Sequence, residues 1–287
     1  MGAAAYLALA AAVCFAVALI LTQYGLRTMP SWRSPLYSIG GSAILAWILA
    51  IFFVDPATFQ TRAALIFAAV GVVYPVMVSI LSVRSNERLG PAVAGAVGNV
   101  TPLFAVLGAV LFLDERLRPG QMAGLALVVA GVALLALRGG VGGRKWSVWV
   151  LLLPLSAALI RGIIQPAIKT GLAQWHEPMA ATAIGYTLST VVILALVGRR
   201  ALREGPADRR GVFWFTAVGL FNGTATFFLY AALGLGSITL VAPLVAIFPL
   251  IALAMSFLLL RGERLHVVGL LGIVVSVAGV IVLLVAR

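Results

Sequence analysis

Acidic residues are scarce in this chain: 8 Asp and Glu stand against 20 Lys and Arg, with 2 His and 1 Cys in 287 residues, and 10% of positions are charged. Each scarcity excludes something. A single cysteine, Cys14, forbids an intramolecular disulfide, and so few Cys and His leave no recognisable metal set. Soluble domains carry about 25% charged residues, so a water-soluble globule is excluded as well. Asp55, Glu87, Asp114, Glu115, Glu177, Glu204, Asp208 and Glu263 all fall in loops or at the ends of apolar runs, as do His176 and His266. No acid or histidine is therefore placed at membrane depth to take up a proton on one side and release it on the other. An enzyme lacks its raw material too, since the apolar runs hold no acid–base pair. No cofactor is expected.

What fills the chain instead is hydrocarbon: 63% of residues are hydrophobic and the mean hydropathy is +1.14. A bilayer core is about 30 Å thick, so a helix rising about 1.5 Å per residue needs about 20 apolar residues to cross it. That ruler finds ten spans: Ala3–Leu26, Pro35–Val54, Ala63–Val83, Pro91–Leu113, Gly120–Leu137, Trp146–Ile168, Met179–Val197, Val212–Leu233, Ile238–Leu260 and Val267–Ala286. Each is about twice the length of a barrel strand and none alternates, so the runs are predicted to be helices of an all-α integral membrane protein. The first run lacks a basic leader and is long enough to cross, which reads as a first span rather than a signal peptide.

The net charge of +12 implies orientation rather than a nucleic-acid partner. Connections after odd-numbered spans hold fourteen basic residues: Arg27, Arg33, Arg84, Arg88, Arg138, Arg144, Lys145, Arg199, Arg200, Arg203, Arg209, Arg210, Arg261 and Arg264. The other side holds five, namely Arg62, Arg116, Arg118, Lys169 and Arg287. Because Lys and Arg concentrate in cytoplasmic loops, both termini are expected outside a cell (inner) membrane and the 198–211 loop in the cytoplasm.

The chain is also written twice. Ala69-Val70-Gly71 returns as Ala217-Val218-Gly219, and Leu89-Gly90 as Leu235-Gly236, about 148 and 146 residues later. Pro102-Leu103 precedes Glu115-Arg116-Leu117 as Pro249-Leu250 precedes Glu263-Arg264-Leu265, and Ala130-Gly131-Val132 is echoed by Ala278-Gly279-Val280. Residues 1–140 and 141–287 are thus expected to be two copies of a five-helix unit. Five is odd, so the second copy enters the membrane from the opposite side, giving an inverted repeat around a central cavity, as in secondary transporters. This arrangement resembles the drug/metabolite transporter superfamily, EamA-like branch. The resemblance implies export of amino acids or other small metabolites, without fixing which.

Glu115 and Glu263, with Arg116 and Arg264, form a turn before the fifth helix of each copy, where a carboxylate meets the positive end of that helix's dipole. The structural reading is preferred for this turn, with a gating salt bridge as its alternative. Arg161 is the strongest binding candidate. It lies near the middle of a span, where a charge costs roughly 2.5–3.5 kcal/mol on insertion scales, and its fork suits a carboxylate or phosphate. Gln165 follows one turn later, with Gly162 and Pro166 weakening the helix around it. Family members commonly carry Trp-Gly at the place where this chain has Arg161-Gly162. Tyr74 and Asn222 occupy matching positions in the two copies and are expected to face one cavity. Asn99, Tyr24 and Tyr230 are further candidates. Tyr24, Tyr186 and Tyr230 also suit the membrane interface, as do Trp32, Trp146, Trp149, Trp175 and Trp214. Pro75, Pro102, Pro166, Pro243 and Pro249 are expected to kink helices.

The expected function is alternating-access export or exchange of an amino acid, aromatic ones included, or another carboxylate-bearing or zwitterionic solute. A multidrug or quaternary-ammonium exporter of the same fold is the first alternative, and a channel or membrane scaffold the second. The expected partners are a small-molecule substrate and the lipid bilayer, with a monomer favoured over a homodimer.

Overall fold

The computed structural model describes residues 2–98, 100–115, 119–136, 147–248, 251–252, 255 and 267–285. All regular structure among them is helical. The long elements are α1 (Ala3–Gly25), α2 (Ser34–Phe53), α3 (Thr61–Leu89), α7 (Leu152–Gln174), α8 (Pro178–Arg203) and α9 (Arg209–Leu235). Between and after them come α4 (Pro91–Gly98), α5 (Thr101–Leu113), α6 (Pro119–Ala136), α10 (Ile238–Val245) and α11 (Val267–Val285). Among the described residues, six helices, α7 taken with the turn that precedes it, are long and apolar enough to cross a membrane.

The packing is that of a chain whose solvent is lipid. Helix interfaces are built from small residues: α1 buries Ala4, Ala5, Ala8, Ala11, Ala12, Ala16 and Ala18. Large apolar side chains point outward instead, with Ile51, Phe52 and Phe53 each at least 70% exposed. Burying one such side chain is worth about 1.5–3 kcal/mol, so a wall of them facing water would be untenable. Small residues inside let backbones approach closely, the usual device of membrane helices. Gly71 shows how closely: a Cβ there would lie 2.6 Å from the Gly185 carbonyl oxygen.

The helix partners are α1 with α9 and α10, α2 with α8 and α9, α3 with α7 and α8, α5 with α7 and α10, and α6 with α11. Pro75 sits inside α3 and Pro166 inside α7. Pro75 has no N–H to offer Gly71, and Ser189 of α8 repairs the gap: its hydroxyl donates to the Gly71 carbonyl and accepts from the Val76 amide at 3.2 Å.

Two expected spans are interrupted. Pro91–Leu113 divides into α4 and α5, with Pro102 in the first turn of α5 and the Thr101 hydroxyl donating to the Gly98 carbonyl at 2.7 Å. A proline there cannot continue the ladder of the preceding turn. The run beginning at Ile238 likewise leaves α10 after Val245, with Pro243 inside that helix. Pro249 lies outside the described residues. Helix α3 in turn runs past the expected end at Val83 to Leu89, adding Ser85 and Asn86.

Candidate functional site

A cavity of about 110 Å³ lies between α1, α3, α4, α7 and α9. By the measure in which one water needs about 10–15 Å³, it has room for a solute of roughly ten heavy atoms. Its wall takes Phe15–Thr22 from α1, Tyr74–Asn86 from α3 and Pro154–Arg161 from α7. The opposite ends of the same helices make an apolar cluster: Ala5, Ala8 and Ala11, then Ala63, Phe67 and Val70, then Ile168, Leu172 and Trp175. The cavity therefore occupies the half of the bundle where α1 and α3 end, and packed hydrocarbon fills the half where they begin.

Arg161 stands at the cavity wall. Its Nη2 donates to the Ser82 hydroxyl at 3.4 Å, a long bond, and its guanidinium carbon lies 6.0 Å from the Phe248 ring centroid. Its Nε is buried and has no hydrogen-bond partner among the described residues. The two ion pairs among the described residues are Lys169 with Glu115 and Arg200 with Glu204, so Arg161 has no carboxylate there. Among the described residues the cavity lining contains no Asp or Glu. This is a cation whose compensation is long-range or absent, facing a solute-sized space.

Tyr74 and Asn222, paired by the sequence repeat, both line this cavity. Gln165 does not reach the lining; it is buried, and its Oε1 lacks a partner among the described residues. Tyr230 is buried in the apolar cluster. Tyr24 stacks on Trp214 at 5.3 Å with Arg27 over its ring, away from the cavity. Asn99 lies outside the described residues, as do Arg116, Glu263 and Arg264.

Of the aromatics assigned to the interface, one lies on the cavity wall and another is buried by its neighbours at a helix end. Tyr186 lines the cavity, its hydroxyl 3.1 Å from the Thr226 hydroxyl. Trp175 is buried between Phe59 and Phe67, its indole donating to the Thr58 hydroxyl at 3.0 Å. Tyr186 lies about two turns inside α8, whereas Trp175 stands just past the end of α7, beside the α2–α3 connection. The sequence reading also passed over Ser79, Ser82 and Asn86 on the α3 wall, together with Thr226. The signal was there: a hydroxyl, a hydroxyl and an amide at i, i+3 and i+7 share one face of a helix.

Glu115 does cap a helix, but a different one from the helix that follows it. Asp114 ends α5 in the left-handed conformation (φ 53°), and the Glu115 amide donates to the Ala109 carbonyl at 3.3 Å. This left-handed stop aims the carboxylate across the molecule at α10. There Oε1 accepts from the Ile238 amide and Oε2 from the Thr239 amide, each at 3.1 Å, while the Lys169 ammonium donates to Oε1 at 2.8 Å. Burial alone would push this carboxyl up; the lysine and the two amides outweigh it and hold it below the usual carboxylate range.

The EamA-like transporter family profile matches residues 2–137 and 148–285. The chain belongs to that family. It is a multi-pass membrane protein of a transporter family. Among its relatives, "Probable terminal-alkyne amino-acid exporter" of Streptantibioticus cattleyicolor is 34% identical over 98 residues, 34% of this chain and 32% of that protein. This chain thus spans about a third of that exporter's length. "Uncharacterized transporter in cobO 3'region" of Sinorhizobium sp is 31% identical over 142 residues, 49% of this chain and 96% of that protein. A crystal structure superposes with a TM-score of 0.72 over 97% of this chain and 95% of its own, at 17% identity, a likeness of fold alone.

Proposed function

We propose that this EamA-like transporter carries a small carboxylate-bearing or zwitterionic metabolite, an amino acid in the first instance, by alternating access between two inverted five-helix repeats spanning ten membrane crossings. The observation that carries the substrate class is Arg161: a guanidinium at a cavity wall that holds no acid. An anionic group entering the cavity would supply the two parallel hydrogen bonds that the fork is shaped for. Tyr74, Tyr186 and Asn222 would then meet the rest of a polar head, with Phe15, Val78 and Phe248 against an apolar side chain. A quaternary ammonium would find no counter-charge in that lining, which weighs against the multidrug alternative. The amino-acid exporter named among the relatives supports the same class.

Matched contacts support the repeat. Ser189 donates to the Gly71 carbonyl, and Ser42, about 147 residues earlier, donates to the Gly219 carbonyl. Gly71 abuts the backbone of Gly185 as Gly219 abuts that of Ser38, and Gly171 abuts the Phe67 ring as Gly25 abuts that of Phe215. Exchanging the halves turns α1 on α9 into α7 on α3, and α2 on α9 into α8 on α3, both of which occur. With α4 and α5 counted as one broken crossing, the broken stretches fall at the same place in each half, where discontinuous helices free backbone groups to meet a solute. The charge bias supports both termini outside and the 198–211 loop in the cytoplasm.

The test is uptake by vesicles holding the purified protein alone. Arg161→Ala is expected to reduce carriage of an amino acid by about tenfold to a hundredfold, from the loss of charge-assisted hydrogen bonds worth about 1.5–3 kcal/mol. Carriage of the corresponding neutral, carboxylate-free amides is expected to change much less. Equal loss for both solutes would reject the carboxylate role of Arg161.

A further inference from the structure

The end of the bundle where α1 begins is closed by apolar packing, and at its rim lies a polar contact that the substrate reading does not use. Helix α9 ends at Leu235 and α10 begins at Ile238, leaving the first amides of α10 to be satisfied. The residue before α10, Ser237, makes no side-chain cap to it. Glu115 fills that role from the α5–α6 connection, its carboxylate accepting from Ile238 and Thr239. Lys169 of α7 bridges the carboxylate to the Gly236 carbonyl at 3.1 Å. A side chain from the first half is thereby bound to two helices of the second, α10 and α7, beside Ile168 and Ile238 of the apolar cluster.

We propose that the Glu115 carboxylate is a latch: it holds the transporter closed at the end where α1 begins, and it lets go of α10 and Lys169 when the cavity opens to that end. The inference rests on the two-half reading above. Opening at that end by parting the two halves separates α1, α3 and α5 from α7, α9 and α10, because these helices supply the facing sides of the apolar cluster. Each bond that Glu115 makes crosses that seam, so none survives the opening in its present form. A bond present in one state and absent in the other sets the balance between them by its own strength. The lysine is not duplicated. Lys169 precedes Gly171 by two residues, and in the matching place Gln23 precedes Gly25, so the first copy offers no ammonium there.

The test reads the two ends separately with a soluble maleimide on the purified full chain, in a background in which Cys14 is replaced by Ser. Ser79→Cys reports the cavity and Ile168→Cys the apolar cluster. Adding Lys169→Gln, or Glu115→Gln, is expected to speed labelling of Ile168→Cys about tenfold, the effect of losing about one charge-assisted hydrogen bond, and to slow labelling of Ser79→Cys. Lys169→Arg keeps the charge and should restore both rates. Two results overturn the latch: rates unchanged by Lys169→Gln, or rates that rise together at both cysteines, which is general loosening of the fold. The two-half reading has its own test in labels at Ala57→Cys and Ala207→Cys. If these lie on opposite faces and Lys169→Gln has no effect, the latch alone is rejected. If they lie on the same face, the reading and the latch are rejected together.

Discussion

At the scale of single residues, two charges carry the account, and they differ in what surrounds them. Arg161 has space on one side and one long hydrogen bond on the other, so its field is available to a solute. Replacing it by Lys keeps the charge but not the fork, and such a variant should retain part of the amino-acid flux while losing discrimination between a carboxylate and other anions; competition assays with acetate-sized and phosphate-sized anions measure this. Glu115 is saturated instead. Its folded-state carboxyl lies below its ordinary value, a shift that favours the bonded state above the ordinary value near pH 4.3 and loses that favour as pH falls through the lowered one. Labelling of Ile168→Cys should accordingly stay constant from about pH 8 to about pH 5, once corrected for thiolate fraction, and rise only in stronger acid. A rise already at about pH 6 would show that the carboxylate is not held as described. Arg161 was legible in the sequence because a charge inside an apolar run is conspicuous. The partner of Glu115 was not legible, because it lies 123 residues away along the chain and no local pattern encodes it.

At the scale of elements, the helices follow from the length of apolar runs, and their interruptions from proline. The ruler placed the long helices to within several residues and missed where they continue into polar sequence, as α3 does through Ser85 and Asn86. That omission hid part of the cavity wall. The break within Pro91–Leu113 was foreshadowed by Pro102, whereas the repair of Pro75 by Ser189 needed tertiary structure: Ser189 is an unremarkable hydroxyl until α8 is laid against α3. Ser189→Ala leaves the Gly71 carbonyl and the Val76 amide without that hydroxyl in a buried seam. It should cost about 1–3 kcal/mol and lower the unfolding midpoint in detergent. Gly71→Ala should do so as well, since its new methyl group would press on the Gly185 backbone. A midpoint unchanged in both variants would mean that α3 and α8 do not pack as closely as described.

At the scale of the whole molecule, the two halves explain more than either site does. On the proposed reading, duplication and inversion account for Tyr74 and Asn222 lining one cavity and for matched serines on matched glycine carbonyls, and would leave a seam able to open at either end. The sequence signal for the proposed repeat is short words at equal spacing, since close helix contacts demand small residues at fixed places. What those words could not convey was occupancy of the seam, filled with hydrocarbon at one end and lined with hydroxyls around a guanidinium at the other. That difference arises from side chains such as Ile168, Ser79 and Ser82, which have no like residue at the matching place. The inversion itself is the most exposed claim. Single cysteines at Ala57, between α2 and α3, and at Ala207, between α8 and α9, can be probed in intact cells with a membrane-impermeant maleimide after Cys14 is replaced by Ser. An inverted repeat predicts opposite faces, with Ala57→Cys labelled from outside and Ala207→Cys labelled only after the cells are opened; labelling of both from the same side would contradict it.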